Sequence, residues 1–256
     1  MSIKLLSFDV WDTLIVDDSD EIHRAAEGLP SKKAERRNQY QNIYRQYFSD
    51  ADVIEQAIDY MENAFLQSWK KEYKTPGVRW RLNQIEKYLG KKQMKPFILG
   101  EVYKNKLIID LEEMELKYPI LETPGAKNFL QRWSSRYPDM KFGIVSDAIY
   151  SPGRNIQKIL DNLGMLDYFS FFSFSDEVGA SKPAREIFSH LQKQANVTSD
   201  EIVHIGDRFV NDIEGACNFG AQAVLCQVNN RQGNNKSNCL SFDNYEHLDK
   251  LLTEMM

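Results

Sequence analysis

From about residue 126 onward, short apolar segments alternate with amphipathic segments that have helical periodicity. The predicted strands lie at 142–145, 169–174, 202–205 and 223–228, and the predicted helices at 126–136, 155–163, 184–195 and about 243–253. Strands separated by helices of this length form βαβ units, in which the strands run parallel. The alternation therefore predicts an α/β fold with a parallel sheet. The polar segment 229–238 predicts an exposed loop.

A further strand is predicted at the N-terminus. Residues 5–8 form an apolar run broken only by Ser7, as in a buried strand, and Asp9 follows directly. An acid at the carboxyl end of a central parallel strand lies where open α/β sheets gather their ligands, and its carboxylate can attack phosphorus. On this segment alone, an acid that only caps a turn is an equally good interpretation.

Residues 17–118 have a helical pattern throughout. Apolar residues recur at the spacing of one helix face around 40–48, 53–69, 85–89 and 102–111. The block holds 18 Lys and Arg and 18 Asp and Glu residues, so it is electrically balanced. We therefore predict a helical domain at 17–118 inserted into an α/β core formed by 1–16 and 119–256. Its aromatic stripe could line a ligand pocket, but we expect it to face a core, as amphipathic stripes usually do.

Four polar signals occur where predicted strands end or helices begin. They are Asp9 with Thr13, then Ser146, then Lys182, and finally Asp207 with Asp212. Right-handed crossovers bring such ends to one edge of the sheet. Carboxylates gathered there repel one another unless a cation or a shared proton relieves them, and Mg²⁺ suits such a site. Taken alone, Lys182 could also be a surface lysine before a helix, and Asp212 could be an acid that stabilises a helix N-terminus.

With these motifs the chain resembles the haloacid dehalogenase superfamily of hydrolases, in particular members with an α-helical (C1-type) cap. The matching segments are 8–14, 144–147, 181–183 and 205–212, in the family's order, and the helical insertion follows the first of them. The resemblance covers residues 1–16 and about 119–229 and implies a Rossmann-like core.

The resemblance also implies roles for individual residues. Asp9 is expected to be the nucleophile, Thr13 and Ser146 to position the phosphoryl oxygens, and Lys182 to steady Asp9 and the transferred group. Mg²⁺ is expected to be held by Asp9, the backbone carbonyl of Trp11, Asp207 and the nearby Asp212.

Trp11 departs from the family's phosphatases, which carry a second Asp two residues after the nucleophile to protonate the leaving group. Asp12 lies one residue later, and a shift of one residue points its side chain elsewhere. General acid–base catalysis is typically worth about 10²–10⁴-fold, so the change should matter. The family's dehalogenases have an aromatic residue here, but they work without metal and generally lack the Gly-Asp pair that this chain keeps at 206–207. The family's phosphonatases keep magnesium and this pair without the second Asp.

Three functions follow from these signals. We favour a Mg²⁺-dependent phosphohydrolase that forms an aspartyl-phosphate on Asp9, because paired acids at a strand end are unfavourable unless a cation binds them. Water, Asp12 or a cap residue would then supply the proton. The alternatives are carbon–halogen hydrolysis through an ester of Asp9, and a catalytically weak phosphate-binding or regulatory protein.

Composition limits the partners. The net charge of −5 gives no basic excess for nucleic acid, and no apolar stretch approaches the ~18 residues of a membrane span. Three cysteines without CxxC spacing predict reduced thiols and a cytoplasmic protein. A cap of this size favours a small phosphorylated substrate. Tyr40, Tyr44, Arg36 and Arg45 are candidate contacts; substrate identity and oligomeric state stay open.

Overall fold

A six-stranded parallel sheet lies at the centre of the protein, in the strand order β3-β2-β1-β4-β5-β6. The computed structural model describes residues 3–229 and 239–256. The strands are β1 (Leu5–Phe8), β2 (Lys141–Ser146), β3 (Phe171–Phe174), β4 (Ile202–Gly206), β5 (Gln222–Cys226) and β6 (Ser241–Phe242). The predicted α/β fold with a parallel sheet is confirmed. Except for Asn229, the segment predicted as an exposed loop lies outside the described residues.

Five helices lie between β1 and β2 in the order of the chain, before a sixth that leads into β2. These helices are α1 (Glu21–Ala26), α2 (Lys32–Tyr44), α3 (Ala51–Glu72), α4 (Val78–Lys92), α5 (Glu101–Met114) and α6 (Ala126–Arg136). The remaining helices are α7 (Gly153–Asn162), α8 (Ser175–Val178), α9 (Arg185–Ala195), α10 (Gly215–Phe219) and α11 (Tyr245–Met255). A π-helical turn, Phe209–Glu214, joins β4 to α10. None of the described helices is both long enough and apolar enough to cross a bilayer.

β1 is buried on both faces, because it lies between β2 and β4 and helices cover both sides of the sheet. Leu6 and Phe8 belong to the core cluster that includes residues of α6, α7 and α11. Leu5, which points to the opposite face, belongs to the cluster formed with α9 and α10. A strand enclosed in this way reads as a continuous apolar run, and this explains why the short segment 5–8 was recognisable.

The inserted helices have a hydrophobic core of their own. Tyr40, Tyr44, Ile54, Ile85 and other apolar residues of α2 to α5 form a cluster separate from the two that pack on the sheet. The aromatic residues of α2 therefore face a core, whereas Phe65 and Trp69 of α3 line the cavity described below. The division into an α/β core (1–16 and 119–256) and a helical cap (17–118) stays a prediction.

The connection between α3 and α4 contacts the core next to the predicted site. The backbone N–H of Ser181 donates to the carbonyl of Tyr73 at 2.6 Å, and the hydroxyls of Thr75 and Ser175 are hydrogen-bonded. Ser175 also accepts the N–H of Ala148 at 2.8 Å. This turn therefore supports both the loop that carries Lys182 and the loop after β2.

Candidate active site

The first carboxylate of the site follows β1 and lies against β4. The N–H of Asp9 donates to the carbonyl of Ile205 at 2.8 Å, which extends the β1–β4 pairing by one residue. Beyond it, the carbonyl of Val10 accepts backbone N–H groups from Thr13 (3.3 Å), Leu14 (2.8 Å) and Ile15 (3.1 Å). Asp12 has a φ of 54°, in the left-handed region that Asp tolerates better than most residues. The tight turn keeps Asp9 at the sheet edge, with only 5% of its surface exposed.

Lys182 joins two carboxylates. Its Nζ lies 2.5 Å from Asp9 Oδ1 and 2.6 Å from Asp212 Oδ1, and its backbone N–H donates to Asp147 Oδ1 at 2.9 Å. Burial alone would lower the pKa of Lys182, but Asp212, Asp9 and Asp147 together raise it above its ordinary value. Lys182 is therefore a buried ammonium group that neutralises part of the surrounding charge.

Asp212 is completely buried and held by three donors. Its Oδ1 accepts from Lys182 and from His204 Nε2 (3.1 Å), and its Oδ2 accepts the backbone N–H of Arg208 (2.8 Å). Because a carboxylate only accepts, Nε2 of His204 carries a proton, and Nδ1 of the same ring lies 2.9 Å from the Ser7 hydroxyl. Burial would raise the pKa of Asp212, but Lys182 and then His204 hold it well below its usual range.

Three carboxylates meet at this edge. Oxygen atoms of Asp9, Asp207 and Asp212, here called the acid cluster, lie within 4.8 Å of one another. Burial, followed by the charges of Asp9 and Asp212, raises the pKa of Asp207 to about 8. The cluster therefore has more negative charge than its surroundings neutralise. Several carboxylates this close match the oxygen ligands of a hard divalent cation, so these residues fit Mg²⁺.

Two buried hydroxyls are the other predicted site residues. Thr13 and Ser146 are fully buried, and neither hydroxyl has a hydrogen-bond partner among the described residues. Phe8 pairs with Ile144, so Ser146 ends β2 at the edge where Asp9 follows β1. Buried hydroxyls are normally satisfied. These two are thus available to the oxygens of a bound phosphoryl group, and their roles stay predictions.

Two further residues, Asp147 and His204, shape the site without a sequence signal that assigns them a role. Asp147 Oδ2 accepts from Trp69 Nε1 and Asn211 Nδ2, each at 3.4 Å, in addition to the bond from Lys182 to Oδ1. Asp147 was visible as an acid beside Ser146. His204 was visible as the one polar side chain in the buried strand β4. Neither signal identifies a partner without the fold.

A cavity of about 780 Å³ lies between the inserted helices and the sheet edge. On the sheet side it is lined by Trp11, Asp147 and Arg208, which border the acid cluster, and on the helical side by Phe65, Trp69 and Arg81, among other residues. Its size is ordinary for a small-molecule site. Of the candidate contacts, Arg36 lines it, whereas Tyr40 and Tyr44 are buried in the helical core and Arg45 is exposed and donates to Gln41.

Parallel α/β sheets carry their functional groups at this edge, and the fold and site together define an enzyme of the α/β class. The family model for haloacid dehalogenase-like hydrolases matches residues 3–220. The chain therefore belongs to this family of hydrolases.

Individual relatives are similar to this chain either in sequence or in fold. A glyceraldehyde 3-phosphate phosphatase of Pyrococcus abyssi is 37% identical over 103 residues, which are 40% of this chain and 41% of that protein. The chain spans about half or less of the length of the first such relatives. Among solved structures, a phosphatase from Thermococcus onnurineus (TM-score 0.63, 21% identity, 98% of each chain) and a 2-haloacid dehalogenase from Pseudomonas syringae (0.66, 17%, 99% and 100%) share the fold.

Proposed function

We propose that the protein is a Mg²⁺-dependent phosphohydrolase that acts on a small phosphorylated metabolite through an aspartyl-phosphate on Asp9. One observation supports this most strongly. Asp9 contacts Lys182 inside a cluster of three carboxylates, and the pKa of Asp207, raised to about 8, indicates that Lys182 alone does not balance their charge. A dehalogenase does not need a metal at this position, whereas a phosphohydrolase of this kind does.

The chemistry that we assign to the chain has two steps. A carboxylate oxygen of Asp9 attacks phosphorus, and the bond from phosphorus to the leaving oxygen breaks. Water then attacks the phosphorus of the aspartyl-phosphate, which releases phosphate and restores Asp9. Thr13 and Ser146 donate hydrogen bonds to the phosphoryl oxygens, and Lys182 steadies Asp9. When bound by Asp9, the Trp11 carbonyl, Asp207 and Asp212, Mg²⁺ supplies charge neutralisation to these oxygens.

The leaving oxygen needs a proton that Trp11 cannot supply. Asp12 accepts the N–H of Asp17 at 3.1 Å, while Asp17 itself lines the cavity. Burial, followed by the charge of Asp18, raises the pKa of Asp17 to about 6, so its carboxyl group is partly protonated near neutral pH. We infer that Asp17 or water serves as the proton source, with good leaving groups preferred.

The decisive test is a panel of phosphorylated metabolites and an aryl phosphate, assayed with Mg²⁺ and with chelator. We expect Mg²⁺-dependent phosphate release that Asp9→Asn reduces by at least about 10³-fold, since the nucleophile is lost. Asp139→Asn, which changes an exposed acid, is the matched control. Phosphate release that survives Asp9→Asn would contradict the proposal.

Trp11 and the dehalogenase fold neighbour make carbon–halogen hydrolysis the second candidate. It predicts halide release from 2-haloacids that persists in chelator. Binding of phosphate without either reaction would instead favour a regulatory protein.

A Trp11→Asp variant tests the missing acid directly. If protonation limits turnover, this variant should raise the rate for poor leaving groups, by up to about 10²-fold, and change the rate for aryl phosphates little. Equal effects on both substrate classes would show that another step is limiting.

A further inference from the structure

Arg81 is a buried cation in the wall of the cavity. It lies near the N-terminal end of α4, lines the cavity and has only 1% of its surface exposed. Its guanidinium lies 3.6 Å from the ring centroid of Phe65 and 4.3 Å from that of Tyr150, and Nη2 donates to the carbonyl of Ile149. These contacts hold the group in place but supply no negative charge.

Two other cations that line the cavity, Lys32 and Arg36, have carboxylate partners. Lys32 lies 2.9 Å from Asp20, and Arg36 forms an ion pair with Glu115. Among the described residues, no carboxylate lies within ion-pair distance of Arg81, and its Nε–H has no acceptor. An unpaired charge of this kind is unusual, because burying it without a partner is strongly unfavourable.

The surroundings make the cation still less favourable. Arg36 places a second guanidinium 3.8 Å from the ring centroid of Tyr150, close to Arg81. The first turn of α4 has no acidic residue, and the positive end of a helix disfavours a cation. The phenol of Tyr40 stays neutral, since burial raises its pKa to about 12. One anion bound beside Arg81 would supply the negative charge that these surroundings lack.

We propose that Arg81 is the anion-binding residue of the cavity, and that the substrate carries a second anionic group, a carboxylate or a second phosphate, besides the phosphoryl group that Asp9 attacks. The proposal rests on the function proposed above for the identity of the first group. A guanidinium pairs well with either kind of oxyanion. A purely structural Arg81, which only joins α4 to the loop after β2, would not distinguish substrates by charge.

The test measures binding, independently of turnover. Asp9→Asn protein in Mg²⁺ is titrated calorimetrically with two ligand pairs that differ by one anionic group: 3-phosphoglycerate against glycerol 3-phosphate, and fructose 1,6-bisphosphate against fructose 6-phosphate. The doubly anionic ligand of at least one pair should bind about tenfold more tightly or better. The pair that shows the preference distinguishes carboxylate from phosphate.

Two further variants assign the preference to Arg81. In Arg81→Met the affinity ratio should fall to about one, whereas Arg79→Met, which removes the same charge from an exposed site on α4, should keep it. Arg81→Gln is the second variant should Arg81→Met fail to fold. Equal affinities within both pairs, no binding of any ligand, or a ratio that survives both Arg81 variants would overturn the subsite.

Turnover by the enzyme with Asp9 intact separates the two proposals. Hydrolysis without any preference for a second anion would support the phosphohydrolase and contradict the anion-binding role of Arg81. A binding preference that depends on Arg81, without hydrolysis of any ligand, would support that role and contradict the phosphohydrolase.

Discussion

Asp17 lies where the chain leaves the sheet, and its folded-state pKa of about 6 exceeds the ordinary 3.8. Ionising this carboxyl group therefore costs folding free energy. The cost is absent below about pH 4 and complete above about pH 6, with an upper limit of about 3 kcal/mol for a shift of about two units. An acid retained at such a cost fits a residue kept for function.

Asp17→Asn should consequently stabilise the protein at pH 8 by up to about 3 kcal/mol and leave it nearly unchanged at pH 4. Asparagine can still accept the N–H of Asp18, which Asp17 Oδ1 accepts at 3.0 Å, so the local hydrogen bond is kept. Urea unfolding at both pH values measures the effect, with Asp139→Asn as an exposed control. The same gain at both pH values would rule out ionisation as its cause.

The site residues differ in how visible they are in the sequence. Asp9, Lys182 and Asp207 occur next to recognisable element ends, so the topology alone predicts that they converge, and the structure brings them together. Arg81 and Asp147 could not be assigned, because their environment depends on how the inserted helices pack against the sheet. No local periodicity encodes that packing.

The junction of β4 with the π-helical turn requires glycine at position 206, because there is no room there for a side chain. A Cβ on Gly206 would lie 2.3 Å from Cγ and 2.7 Å from Oδ1 of Asp212. Asp212 cannot withdraw, because Lys182, His204 and the N–H of Arg208 hold both of its oxygens. Glycine at 206 therefore lets the acid approach the end of the strand.

Gly206→Ala should displace Asp212, break its contact with Lys182 and destabilise the protein by about 3 kcal/mol or more, as for a disrupted buried ion pair. Phosphate release should fall with it. Gly77→Ala at the start of α4, where a Cβ would meet nothing within 4 Å, should cost less than about 1 kcal/mol. Chemical denaturation of both variants makes the comparison, and similar losses would contradict the steric argument.

Element boundaries follow the sequence closely where a segment has a distinct pattern, and they are lost where a segment is too short to have one. α6 spans residues 126–136 as predicted, since an amphipathic stripe of eleven residues specifies a helix. β6 has only two residues and was missed, because alternation cannot be recognised over so short a segment. α2 ends at Tyr44, although the apolar spacing continues to Phe48. Phe48 lies in the loop after α2, and its side chain is buried.

The whole molecule combines a buried parallel sheet with a cluster of carboxylates at its edge, and the charge of that cluster opposes folding. The pKa of Asp207, near 8 in the protein and 3.8 in a free side chain, means that ionisation of Asp207 destabilises the fold progressively from about pH 4 to about pH 8. A bound cation would remove this penalty. Its effect on stability should therefore grow as the pH rises.

Mg²⁺ should accordingly raise the melting temperature more at pH 8.5 than at pH 6. At a concentration 100 times its Kd, a ligand specific for the folded state stabilises by about 2.7 kcal/mol, or roughly 5–10 °C for a chain of this size. Thermal unfolding in Mg²⁺ and in chelator measures the difference, and Asp207→Asn should reduce it sharply. A Mg²⁺ effect that is independent of pH, or retained in Asp207→Asn, would place the ion elsewhere than in the acid cluster.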